Sequence, residues 1–212
     1  MDAKHFEKEL ADSPETQAQI AFADVILLNK TDLVSIDQLE RVETRIRKMN
    51  SLAYIHRTQN AQIDVTKILN IKARELTTPL VLPSGGQKAS AEHDHMEHEH
   101  PEEHDHEENH HHDEDVRSFY ITGEQPLDLK KLEAWLTEVI QTSGTNIYRS
   151  KGILYVKGQA KRVVFHGIQM IFDAKPDRFW DPGEKRINQL VFIGKDLDEG
   201  RIRAGFESCV AT

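Results

Sequence analysis

The sequence predicts two folded units of different class: an α/β layer over residues 1–76 and an α+β unit over 117–212. Three observations carry this. Helix-period and strand-like segments alternate through the first unit, the order that builds a parallel sheet. The second unit has one strong amphipathic helix followed by a run of β-rich segments, the pattern of a small, mainly antiparallel sheet with helices on one face. Between them, residues 77–116 show no apolar periodicity, which predicts a disordered acidic linker.

In chain order, Phe6 to Ala23 reads as helix, with Pro14 placed for a first turn after Ser13. Asp24-Val25-Ile26-Leu27-Leu28 is a short apolar run suited to a strand buried on both faces. Ile36, Leu39, Val42, Ile46 and Met49 recur at helical spacing over 36–49, behind a cap signal at Ser35. Residues 52–57 form a second strand candidate and 64–71 a short amphipathic helix. Past the linker come a strand at 117–122 and a helix from Leu127 to Ile140. That helix carries Leu129, Leu132, Trp135, Leu136, Val139 and Ile140 on its stripe. Strands follow at 147–157, 161–168, 169–175 and 189–194, with a closing helix near 198–209. Lys157-Gly158-Gln159-Ala160 punctuates a hairpin.

Composition narrows the function classes. The 212 residues carry a formal charge of −9, but residues 89–116 hold twelve acids and no Lys or Arg. The remainder has 27 bases and 36 − 12 = 24 acids, a net of +3, so no strong footprint for nucleic acid is expected. No apolar run approaches a membrane span, and the start, Met1 to Glu7, has no basic stretch followed by an apolar run, so no secretory signal is expected. The single cysteine, Cys209, excludes a disulfide framework within one chain and suits a reducing, cytoplasmic compartment. Cys209 and Trp135 read as packing residues, and His166 as structural. His56 lies near the end of the second strand, without a nameable partner.

The sharpest motif is Asn29-Lys30-Thr31-Asp32, directly after the first apolar strand. Asn-Lys-x-Asp suits guanine. A carboxylate at Asp32 accepts from the guanine N1–H and exocyclic amino group, an arrangement adenine does not offer. The stem of Lys30 can lie along the purine, while Asn29 ties the loop and reaches the base edge. Ligands gather at the carboxyl ends of parallel strands, where this loop falls. The alternative is an ordinary polar loop. No Gly-x-x-x-x-Gly-Lys-Ser/Thr sequence occurs in the 212 residues, so nothing here cradles a triphosphate or holds Mg2+, and the chain alone is expected not to hydrolyse GTP.

A second constellation lies in the linker: His93, His95, His98, His100, His104, His106, His110, His111 and His112, interleaved with Asp and Glu. Neutral imidazoles suit Zn2+, Ni2+, Co2+ or copper, and nearby carboxylates offset the ion's charge. No single tetrahedral set stands out, so several exchangeable sites are expected. The alternative is a solvated acidic linker.

With these residues in view, the chain resembles the CobW-like family of P-loop GTPases and metallochaperones. The resemblance rests on Ala21 to Val34 around the guanine motif and on the position of the histidine-rich insert. It also rests on three C-terminal stretches: Tyr148-Arg149-Ser150-Lys151-Gly152-Ile153-Leu154, Val164 to Gln169, and Arg186 to Asp198. It implies an incomplete Rossmann-like G-domain remnant over 1–76, followed by the family's C-terminal domain. It further implies GTP and Mg2+ in an intact parent, and delivery of zinc, or of cobalt as in cobalamin synthesis, to a client metalloprotein. The family's phosphate-binding loop and Cys-x-Cys-Cys motif have no counterpart here, so the chain resembles the back half of such a GTPase. An expression fragment, a mis-called gene start and a truncated paralogue all fit. That half is expected to fray or to self-associate through its uncovered sheet edge. The competing reading is a free-standing metal-buffer or partner-docking module without nucleotide function, and a weaker one is a histidine-based pH sensor.

Overall fold

The structure, a computed structural model, describes residues 1–69 and 116–212. The N-terminal segment opens with two helices, α1 (Phe6–Asp12) and α2 (Pro14–Phe22). The one helix expected from Phe6 to Ala23 is thus broken at Ser13. The Ser13 backbone is extended (ψ 109), its hydroxyl accepts from the Thr16 N–H, and Pro14 takes the first helical position, where a missing N–H costs nothing. Strand β1 (Val25–Leu28) follows. A 3₁₀ turn at Thr31–Leu33 leads into α3 (Ile36–Met49), and β2 (Tyr54–Arg57) pairs parallel with β1, Val25 opposite Tyr54.

Helix α3 starts where its sequence says it should. Ser35 and Gln38 form a reciprocal capping box, Leu39, Val42, Ile46 and Met49 are buried, and Arg47 and Lys48 close the last turn favourably for the helix dipole. Ile36, on the expected apolar stripe, is instead 72% exposed, at the first helical position of α3. On β1 only Ile26 and Leu28 are fully buried; Val25 and Leu27 are half-buried, so the strand is not sealed on both faces. A further strand-like stretch was not legible in the sequence. Met1 donates its terminal amine to Leu27 O, Asn29 N–H donates to Met1 O, and Ala3 N–H donates to Asn29 O. Met1–Ala3 thereby lines the edge of β1 opposite β2. The expected helix over 64–71 is a single 3₁₀ turn, Val65–Lys67, within the described residues.

The C-terminal segment is a five-stranded sheet in the order β3-β7-β4-β5-β6, all pairs antiparallel. The strands are β3 (Arg117–Gly123), β4 (Ile147–Leu154), β5 (Lys161–Ile168), β6 (Ile171–Phe179) and β7 (Asn188–Gly194). Helices α4 (Leu129–Ser143) and α5 (Glu199–Ser208) cover one face. There Trp135, Val139, Ile202 and Phe206 pack with Ile121, Leu190 and Phe192. Helix α4 begins later than expected: Asp128 caps it, and Leu127 sits in isolated bridges to Val156 and Val210 instead. Gly158, at φ 81, turns β4 toward β5.

The other face of this sheet is not bare. Val191 and Ile193 on β7, with Val116, join the core that contains Phe6, Ile20, Ile26 and Ile46. The interior strand β7 is therefore buried along its whole length, one face by α4 and α5, the other by the N-terminal segment.

Candidate functional site

The Asn29-Lys30-Thr31-Asp32 loop stands at the carboxyl end of β1, beside the carboxyl end of parallel β2. Asn29 is its anchor. The side-chain Oδ1 accepts from the Ala61 N–H at 2.9 Å and from Thr58 Oγ1 at 3.1 Å. The backbone of Asn29 pairs on the other side with Met1 and Ala3. One residue thus ties together three chain segments: Met1–Ala3, the loop after β1 and the loop after β2. Because Oδ1 takes an N–H, the amide orientation is fixed and Nδ2 points elsewhere, with no partner among the described residues.

Lys30 occupies the left-handed region at φ 60, uncommon for a residue with a β-carbon, so the loop turns sharply here. Its Nζ donates to Asp2 Oδ2 at 2.7 Å. Asp2 also meets His5 Nδ1 at 2.9 Å and accepts from the Lys4 N–H. The Lys30 ammonium, with His5 next, holds the Asp2 carboxyl well below the usual carboxylate range, and Asp2 in turn raises Lys30. Thr31 donates from both N–H and Oγ1 to Thr58 O, and the Leu33 N–H closes a turn onto Lys30 O. Asp32 lies inside that turn, exposed, with no hydrogen bond or ion pair among the described residues. The arrangement presents an open carboxylate and a spare amide NH2 at one strand end, fixed by backbone bonds beneath them.

Sequence reasoning missed the opposing loop. Thr58 and Ala61 bond Asn29, and Asn60 and Ala61 both have positive φ, 49 and 56. Asn60 carried a faint signal, since Asn tolerates the left-handed region; Ala61 carried none. His56 sits on β2 opposite Leu27, half-buried, two residues short of this loop.

A polar cluster fixes the opposite end of β1. Asp24 binds Arg149 through its carboxylate and Lys151 Nζ at 3.0 Å, while Arg149 Nη1 donates to Phe22 O at 2.5 Å. Both cationic side chains are more than nine-tenths buried. Burial pushes the Asp24 carboxyl up, but the Lys151 hydrogen bond and the Arg149 charge outweigh it, leaving the group below its usual value. His166, across from Lys151 on β5, is exposed at the surface rather than packed in the core, and partial burial, then the Lys151 and Arg149 charges, lower its pKa. Cys209 is fully buried, and burial raises its thiol, in keeping with packing.

The nine histidines, His93 to His112, lie outside the described residues. Among the described residues no cluster of three or more His, Cys, Asp or Glu is arranged to hold a metal, and no helix is long and apolar enough to cross a membrane.

Two family models match the chain. The nucleotide-binding domain shared by CobW, HypB and UreG matches residues 1–57, and the C-terminal domain of the cobalamin synthesis protein CobW matches 116–210. Among curated proteins, the chain is 26% identical over 206 residues to the zinc chaperone YjiA of Escherichia coli, covering 97% of this chain and 58% of that protein. It is 32% identical over 193 residues to the zinc chaperone CobW of Pseudomonas aeruginosa, covering 91% and 46%. A crystal structure of Zn(II)-bound YjiA GTPase from E. coli superposes with a TM-score of 0.77 at 25% identity, covering all of this chain and 59% of that one. The chain spans about half the length of the curated relatives it matches.

Proposed function

The chain belongs to the CobW-like family, and on that premise we propose that it is the guanine-reading and metal-carrying part of a GTP-dependent metallochaperone. The observation that carries the reading is the loop after β1. Asn29 is locked by two bonds from the facing loop, and Asp32 is left open beside it. Guanine fits these groups: Asp32 accepts from N1–H and the 2-amino group, Nδ2 of Asn29 donates to an acceptor on the base edge, and the Lys30 stem covers a ring face after leaving Asp2. Adenine leaves the carboxylate without its pair of donors, which is how a polar site discriminates strongly.

Residues 1–76 form the closing part of a G domain in this reading, 77–116 the acidic histidine-bearing linker, and 117–212 the family's C-terminal domain. GTP hydrolysis in an intact parent also needs a phosphate loop and Mg2+, and these 212 residues contain no such loop sequence. The cargo is a divalent transition metal carried by the nine imidazoles, with zinc favoured by the names of the relatives and cobalt or nickel compatible with the same ligands. The recipient is a client metalloprotein in the cytoplasm.

Amide resonances of the intact chain, followed during titration with guanosine and separately with adenosine, test the base-reading role. Guanosine is expected to move the signals of Asn29, Lys30, Asp32 and Ala61, adenosine to leave them in place, and Asp32→Ala to abolish the guanosine effect. Equal responses to both nucleosides, or to neither, would leave a metal-buffer module without nucleotide function as the better reading.

A further inference from the structure

A groove of about 1390 Å³ runs between α3 and the outer edge of β3, an edge strand of the five-stranded sheet. Ser118 Oγ donates to Lys48 O at 3.1 Å across its floor. Five cations line it, Arg41, Arg45, Arg47 and Lys48 from α3 and Arg117 from β3, against three carboxylates. Arg41, Arg47 and Lys48 are exposed and have no ion-pair partner among the described residues. Elsewhere Arg57 pairs with Glu43, Arg162 with Asp177 and Arg178 with Glu184. Arg41, Arg47 and Lys48, without an ion-pair partner among the described residues, form a positive stripe on one helix that an anionic segment can neutralise.

The chain itself supplies one. Residues 92–115 contain twelve acids, nine histidines and no Lys or Arg, and the run ends in Asp113-Glu114-Asp115. The next residue, Val116, is buried and lines the groove. The most acidic stretch of the sequence therefore enters the fold at a groove whose lining is net cationic. We propose that this groove is the docking surface for residues 92–115 of the same chain, held by their carboxylates against Arg41, Arg47 and Lys48. Tethering gives the segment a high effective concentration at the groove, so a few screened ion pairs suffice for occupancy. Helix α3 has 14 residues, about 21 Å of axis, and its N-cap Ser35 is three residues past Asp32. A docked segment consequently brings the histidines alongside the helix that starts at the guanine loop. This inference rests on charge and chain continuity and is independent of whether the loop reads guanine.

Paramagnetic broadening tests it. A nitroxide is placed at Met96→Cys in the full chain, and amide signals of α3 and of residues 116–120 are followed at low salt. The wild-type groove is expected to lose signal about twofold more than a chain carrying Arg41→Glu, Arg47→Glu and Lys48→Glu, and to lose this excess in 1 M salt, where the Debye length is about 3 Å. The tether is identical in both chains, so the difference reports docking alone. A second variant, with the twelve acids of 92–115 changed to Asn or Gln, leaves the groove intact and is expected to behave like the charge-reversed chain. Equal broadening in all three chains would overturn the proposal. So would broadening that appears only between a spin-labelled chain and a separate isotope-labelled chain, which would make a second copy the occupant.

Discussion

Asp32 is available because its neighbours hold the loop without it. Asn29 and Thr31 make the loop-to-loop bonds and Lys30 bends the chain, so the carboxylate has no structural duty. The residues after β1 could be recognised in sequence because their chemistry is dense and local. Asp24, five residues earlier, could not. It reads as the polar start of a strand, and its partners Arg149 and Lys151 lie more than 120 residues away. Yet it is the counter-charge to two nearly buried cations. Asp24→Ala is expected to destabilise the chain by about 2 kcal/mol, read by denaturant unfolding, because the cations keep their desolvation and lose their acceptor. The pH dependence has a definite sign. The folded pKa of Asp24 is lowered, so its contribution is complete above the unfolded value of about 3.9 and is lost as pH falls through the folded one. An acid titration of stability should therefore drop less steeply below pH 4 in Asp24→Ala than in the wild type.

Among the elements, α3 was the most legible, since cap, apolar stripe and basic last turn all agree within one local stretch. Its capping box predicts that Ser35→Ala lowers stability by about 1 kcal/mol, a thermal midpoint shift of roughly 2–4 °C for a chain of this size. Ser35→Asp should restore most of it. The strands of the C-terminal sheet were also legible in position, and Gly158 marked the β4–β5 turn. Three features were not fully so. Met1–Ala3 acts as strand only because β1 offers an open edge. The break at Ser13 was only half legible: Pro14 marked a first turn, but not that a separate helix ends just before it. The burial of Val191 and Ile193 beneath the N-terminal segment is a tertiary choice, since the continuous apolar run Leu190-Val191-Phe192-Ile193 says that both faces are covered but not by what.

At the scale of the whole molecule, a shared core joins the segment bearing the Asn29–Asp32 loop to the sheet, and the Asp24 cluster reinforces that junction. Two functional expectations belong here. The 212-residue chain should show no GTP turnover above background, because its sequence holds no phosphate loop. It should bind more than one zinc ion near neutral pH, and calorimetry should show the binding fall between about pH 7 and 5, because imidazole binds metal only when neutral and its ordinary pKa is about 6.5. Neighbouring carboxylates favour the charged ring, which moves the loss toward the upper part of that window. Magnesium and calcium should compete poorly, as they need a rigid oxygen cage. The account turns on whether this chain reads a base with Asp32, and a specificity exchange asks that most directly. In Asp32→Asn an amide donor replaces one carboxylate acceptor, which suits the extra carbonyl of xanthine. Amide-shift titrations of the wild type and Asp32→Asn with guanosine and xanthosine should show the preference inverted, guanosine for the wild type and xanthosine for the variant. The same preference in both chains would contradict the account.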